Sequence, residues 1–246
     1  MQSTVIRIFL GLFLTVSFLY AQRPDASVLR TMLLDKDPEI RVKAAEGLGR
    51  VGGRQAVIIL RQGRTDNNTT VRIATVEALG FIGGRLAMTV LSEYLKDRNP
   101  EVRIRAVEAL KDAGMVNSIG ILQKAFGDDN VSVRLHAALM LREIGHRSGV
   151  PVLGKVAVDD ESAAVRAAAT AHLGKVGSKD PRAVGVLASV LKDKDPVVRI
   201  RAVESLGFLQ LPQAIAVLRS ALEDRDASVR IRATEVMGHV LAKDFE

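Results

Sequence analysis

Seven aspartates and seven arginines, paired six residues apart, are the side chains of this sequence whose types and spacing could do chemistry. They are Asp35 and Arg41, Asp66 and Arg72, Asp97 and Arg103, Asp128 and Arg134, Asp160 and Arg166, Asp193 and Arg199, and Asp224 and Arg230. A carboxylate beside a guanidinium can do acid–base work, or it can hold an ion pair. Seven copies favour the second, because a buried guanidinium without a partner is very costly. The available partner for each arginine is the aspartate six residues before it. The other candidates are thinner. The histidines are His136, His146, His172 and His239. None opens a His-Glu-x-x-His run, and there is no Gly-x-x-x-x-Gly-Lys-(Ser/Thr) or Gly-x-Ser-x-Gly. Runs such as Asp128-Asp129 and Asp159-Asp160 recur where a helix begins, so capping accounts for them better than calcium. With no cysteine in the chain, disulfides, thiolate metal sites and a lipoprotein anchor are excluded. The sequence predicts no metal, no cofactor, no catalytic residue and no enzymatic activity.

The elements around these pairs repeat as well. The arginines are separated by 31, 31, 31, 32, 33 and 31 residues. A fixed period of that length marks a repeat architecture. Four residues before each arginine stand Asp37, Asn68, Asn99, Asn130, Ser162, Asp195 and Asp226, all good helix N-caps. Pro38, Pro100 and Pro196 follow three of them, where a missing N–H costs nothing. Gly52, Gly83, Gly114, Gly145 and Gly177 are expected to stop the helices, while Gln210 and Leu241 give weaker signals. On a helical wheel Val102, Ala106, Leu110 and Ala113 form one apolar stripe, and Ile104 and Val107 form another. A preceding helix is read from pairs such as Leu91/Leu95, Leu187/Leu191 and Leu218/Leu222. Each unit is a helix, an aspartate turn and a second helix. It cannot bury its apolar faces alone, so the units stack.

The pattern Asp-x-(Asp/Asn)-Pro-x-Val-Arg-x-x-Ala-x-x-x-Leu-Gly resembles HEAT repeats, in particular the short bacterial subclass of phycobilisome-lyase-like repeats. The resemblance covers residues 24 to 242. It implies an all-α, right-handed solenoid of seven antiparallel helix pairs, with the aspartates and arginines forming a ladder along the stack. It is much less specific for function. The family includes scaffolds, adaptors, some pigment-attachment enzymes and a deoxyhypusine hydroxylase, whose His-Glu iron motifs are absent from this sequence.

Residues 1–21 read as a secretory leader: Arg7, an apolar run from Ile8 to Leu19, and Ala21 before the expected cleavage point at Gln22. The other reading is an uncleaved anchor, for which the run is short. Residues 22–246 form a single solenoid of seven repeats with no linker. The expected location is the periplasm or the extracellular space. Losing Arg7 with the leader takes the net charge from +7 to +6. That charge is interleaved with glutamates on helix faces. Only Phe81, Tyr94, Phe126, Phe208 and Phe245 remain as aromatics beyond the leader, which gives nucleic-acid bases little to stack on.

The exposed face of each second helix falls two, five, six and nine residues after the arginine, and the resemblance makes it the concave one. Most repeats carry opposite charges there: Lys43/Glu46, Arg105/Glu108, Arg201/Glu204 and Arg232/Glu235. Repeats four and five break the pattern with His136, Leu139, Met140, Ala168, Ala171 and His172, and Phe81 and Phe208 add apolar bulk. Two accounts stand side by side. These positions form a partner-binding groove, or they compensate for irregular packing at repeat five. The expected function is a protein- or peptide-binding scaffold of the bacterial cell envelope. Alternatives are an accessory subunit or lyase-like partner of an enzyme, and a binder of anionic polymers.

Overall fold

The computed structural model describes residues 26–243, except Lys179 and Gln210. The leader assigned to residues 1–21, its cleavage point at Gln22 and the polar end from Asp244 lie outside them. Fourteen α-helices follow one another as seven pairs among the described residues, with no strand. The first helices of the pairs are α1 (Ala26–Met32), α3 (Gly53–Leu60), α5 (Gly84–Tyr94), α7 (Ile119–Leu122), α9 (Val150–Asp159), α11 (Pro181–Val190) and α13 (Pro212–Ser220). The second helices are α2 (Pro38–Val51), α4 (Thr69–Ile82), α6 (Pro100–Gly114), α8 (Val131–Ile144), α10 (Ala163–Val176), α12 (Pro196–Phe208) and α14 (Ala227–Lys243). In repeat four the short α7 is flanked by 3₁₀ turns at Met115–Ser118 and Gln123–Gly127. The extra residue of repeat five does not loosen the aspartate turn. It lengthens α9, which runs on to Asp159, directly before Asp160.

Helix starts follow from the caps. Asp37, Asn68, Asn99, Asn130, Asp195 and Asp226 each accept a hydrogen bond from a backbone N–H two residues on. Ser162 has the same extended backbone but makes no capping bond from its side chain. The helices stop at or directly before all five expected glycines, but with two kinds of backbone conformation. Gly52, Gly83 and Gly145 take positive φ, but Gly114 and Gly177 do not. At the first of these Met115 takes φ 45° instead. A Cβ on Gly114 would overlap Met88 Sδ, so the flexible Met88 side chain would have to turn aside to admit one.

One continuous apolar core runs from Leu29 to Met237. Val102, Ala106, Leu110 and Val107 are fully buried, Ala113 is buried, and Ile104 packs against them part-buried. Successive second helices approach closely through a glycine eight residues after the arginine. A Cβ on Gly49 would meet Ala78, one on Gly80 Ala109, one on Gly174 Ser205 and one on Gly207 Val236, at 3.1, 2.9, 2.7 and 2.5 Å. The partner in each case lies six residues after the next arginine.

The ion pairs run between repeats, which corrects the pairing expected within each repeat. Arg41 grips Asp66, Arg72 grips Asp97, Arg103 grips Asp128, Arg134 grips Asp160, Arg166 grips Asp193 and Arg199 grips Asp224. Each contact is bidentate, as in Arg134 Nε to Asp160 Oδ2 at 2.9 Å and Nη2 to Oδ1 at 3.1 Å. The aspartate six residues earlier contributes only its backbone carbonyl, which accepts from Nη1, as in Arg134 to Asp128 O at 2.8 Å. The reason is geometric. The same aspartate caps its own turn, with Oδ1 accepting the N–H two residues on, as in Asn130 N to Asp128 Oδ1 at 2.9 Å. Its free edge faces the preceding repeat. Every buried donor and acceptor of the pair is then satisfied, the condition under which a buried ion pair is tolerable.

This chemistry sets the acid behaviour of the stack. Burial alone would raise the Asp66, Asp128 and Asp193 carboxyls. Hydrogen bonds from Arg41, Arg103 and Arg166 and from the following backbone N–H groups override it and hold them below the usual carboxylate range. Asp224 is lowered by its hydrogen bond from Arg199, against a smaller opposing effect of burial.

Candidate partner-binding face

The second helices, stacked side by side, present positions two, five and nine as one surface. Its charged parts are tied together within and between repeats. Arg105 reaches Glu101 and Glu108, and Glu108 in turn lies 3.6 Å from His136 Nε2. Farther along, Glu204 takes both Arg201, at 2.7 Å, and Arg232, at 3.2 Å. Surface pairs of this kind contribute a few tenths of a kcal/mol each and chiefly set the polarity of the face.

The residues that break the charge pattern do not all lie on that face. His136, Ala168 and Ala171 are half-buried on it, and Leu139 is half-buried against the core. Met140 is a core residue, 7% exposed, so its assignment to the solvent side is corrected. Position six, unlike positions two, five and nine, meets the neighbouring second helix. Where the preceding helix carries glycine at position eight, position six is Ala78, Ala109, Ser205 or Val236. Where that glycine is replaced by Lys111 or Arg142, position six is Met140 or His172. Facing Lys111 and Arg142, then, stand the buried Met140 and the half-buried His172. The packing account therefore explains Met140 and contributes to His172.

Burial, then the nearby Arg142 and Lys175, push the His172 imidazole down to about 4, with Glu143 opposing weakly. The ring is neutral in the folded protein at neutral pH. Its folded-state pKa lies below the unfolded value, so between about pH 6.5 and 4 the unfolded chain takes up a proton that the folded chain refuses. Stability contributed here is present above that window and lost as pH falls through it. The melting temperature should drop between pH 7 and about pH 5, and His172→Gln should reduce that drop. Equal drops in both proteins would show that the folded ring accepts its proton freely.

An apolar opening on this face lies at repeats six and seven. Phe208 is 59% exposed at position nine. Beside it is a cleft of about 930 Å³, whose apolar walls include Leu211, Ile215, Val236 and Val240. Glu204, Arg232 and His239 also line it and supply polar groups. The cleft lies between the end of α12 at Phe208, whose C-cap is Leu209 and not a glycine, and the start of α13 at Pro212. Phe81, 78% exposed, holds the same position in repeat two. Sequence reasoning found Phe208 from its register. It missed the Leu211, Ile215 and Val240 walls, which come from three separate segments.

Among known families, the model for HEAT repeats matches residues 26–111, 88–174 and 150–238. The chain belongs to the HEAT-repeat family. No curated protein is significantly similar to it in sequence. Solved HEAT-like structures similar to it include the Escherichia coli protein YibA, at 22% identity and TM-score 0.52 over 90% of this chain and 85% of that one. Human deoxyhypusine hydroxylase in complex with glycerol is 20% identical with TM-score 0.48, over 89% of this chain and 98% of that one. The complex of CpcE and CpcF of phycocyanin lyase from a Nostoc species is 20% identical with TM-score 0.47, over 87% and 94%. At these identities the likeness is one of fold. The expectation that the chain has no enzymatic activity is withdrawn, because membership of the HEAT-repeat family does not decide it. A HEAT-repeat stack does not by itself exclude catalysis. HEAT-repeat proteins also bind protein partners, as CpcE and CpcF do in their complex.

Proposed function

We propose that this HEAT-repeat chain is a scaffold that binds another protein, or an extended peptide of one, on the face built from its second helices, and that it works in the bacterial cell envelope. The observation that carries the binding reading is the cleft beside Phe208. It combines the volume of a small binding site with apolar walls and a few convergent polar groups. An apolar side chain of a partner would enter between Phe208, Ile215 and Val240, while Glu204 and Arg232 orient the flanking backbone or charges. An exposed aromatic at the mouth of a recess is the kind of anchor on which binding energy concentrates. The half-buried His136, Leu139, Ala168 and Ala171, with His172 at their edge, extend the less charged strip toward the middle of the stack, and Phe81 lies toward its other end. The envelope reading rests on the leader-like residues 1–21.

A photo-reactive phenylalanine analogue placed at position 208 tests the docking face in living cells. The expected result is a discrete adduct with one protein, absent when the analogue replaces the exposed Arg219 on α13. Adducts from position 219 but not 208 would move the docking face elsewhere. An adduct made only of nucleic acid or another polyanion would replace the protein partner with the polymer alternative.

A further inference from the structure

The inter-repeat ladder has a direction, because each arginine reaches forward to the aspartate of the next repeat. Its two ends are therefore unlike. At one end Asp35 accepts the Asp37 N–H at 2.8 Å on Oδ1, as every other ladder aspartate does for its own turn. Among the described residues no guanidinium grips its carboxylate, and Arg41 reaches only its backbone carbonyl, at 2.8 Å. At the other end Arg230 donates Nη1 to the Asp224 and Arg225 carbonyls at 2.7 and 3.2 Å, the posture of the internal arginines. Its Nε and Nη2 edge, which elsewhere grips a carboxylate, meets none among the described residues. One end presents a half-satisfied acceptor and the other a preset donor fork.

The apolar surfaces at the two ends are unlike other positions in the same way. Ile231 is 60% exposed, whereas its counterparts Ile73, Ile104 and Ile200 pack part-buried against the core. On α1, Val28 is 55% exposed and Met32 is exposed as well. The counterparts of Met32 three residues before the other ladder aspartates are Gly63, Tyr94, Ala125, Ala157, Val190 and Ala221, and all are buried. Stacked repeats ordinarily finish in units with polar outer faces. Among the described residues the last repeat does place an exposed Thr234 where Val76, Val107 and Val203 are buried, but Ile231, Val28 and Met32 leave both ends partly apolar.

We infer that a second copy of this chain covers these ends. Arg230 of one copy takes the Asp35 carboxylate of the next, and Ile231 packs toward Val28 and Met32. The contact continues the ladder as if the second copy were the eighth repeat. It joins two different surfaces, so it is heterologous and builds a ring or an open filament rather than a closed two-fold dimer. The free arginine and free aspartate supply the charge complementarity that fixes the order of the copies.

Sedimentation velocity on the purified full chain across a range of concentrations reads this directly. The wild type should grow in mass with concentration. Arg230→Asp and Asp35→Arg should each weaken association by about tenfold or more, with unchanged melting temperature. Mixing the two variants restores opposite charges at both junctions and should recover the large species. A wild type that stays monomeric overturns the inference, as it would if residues before Ala26 covered Val28 and Met32. Association that survives both single reversals, or variants that fail to recover on mixing, overturns it equally.

Discussion

Arg134→Ala is expected to lower stability by about 3–5 kcal/mol, because it leaves the Asp160 carboxylate buried without its counter-charge. Arg134 and Asp160 side chains are 4% and 6% exposed, and the arginine makes two contacts to the carboxylate and two to backbone carbonyls. The additional bond to Glu161 involves an exposed carboxylate and adds little. Arg230→Ala removes the same residue type from the same register where no carboxylate of the same chain is gripped among the described residues, and at concentrations that keep the chain monomeric should shift the melting temperature by no more than about a degree. Thermal denaturation of the two variants side by side separates the ladder from a general effect of losing an arginine. Equal shifts would contradict the forward pairing. The ladder also predicts an acid limit. A carboxylate with a lowered folded-state pKa stabilises fully above its unfolded value and loses that contribution as pH falls through the folded one. Acid unfolding driven by Asp66, Asp128, Asp193 and Asp224 should therefore set in below about pH 4, beneath the His172 window.

Met140→Asp is expected to cost about 3–5 kcal/mol, since it puts a short carboxylate at a 7%-exposed position of the apolar core. Its neighbour provides the contrast. Leu139→Glu changes a half-buried position whose longer side chain can turn its carboxylate outward, and should cost about 1 kcal/mol. Chemical denaturation of both variants checks the assignment. A stable Met140→Asp protein would return Met140 to the surface. It would also undo the link between Lys111 at position eight of one repeat and Met140 at position six of the next.

The parts of this protein that were legible in its sequence are those governed by local chemistry. The N-caps, the positive-φ Gly52, Gly83 and Gly145, and the stripe of Val102, Ala106 and Leu110 depend on residues within one or two turns of each other. The seven-fold period then exposes them by repetition. The partner of each arginine was not legible in the same way. Asp97 lies six residues before Arg103 in sequence, yet its carboxylate belongs to Arg72. Only the stacking geometry decides which edge of an aspartate is free once its own turn has claimed Oδ1. Gly114 was read rightly as the end of its helix, but its contact with Met88 on another helix was not visible in the sequence. The paired variation of positions eight and six was present in the sequence, from Gly80 with Ala109 to Lys111 with Met140. It becomes readable once successive second helices are known to touch there. The cleft beside Phe208 was the least legible feature, because its walls come from α12, the connection after it, α13 and α14.

The most direct test of the docking face is the affinity of the partner captured at position 208, measured by calorimetry for the wild type and Phe208→Asp. Phe208 is exposed and carries little of the core, so the variant should keep its melting temperature. The account predicts at least about a tenfold loss of affinity, with only shallow dependence on salt in the wild type. Unchanged affinity in the stably folded variant, or binding that collapses steeply with salt, would contradict it.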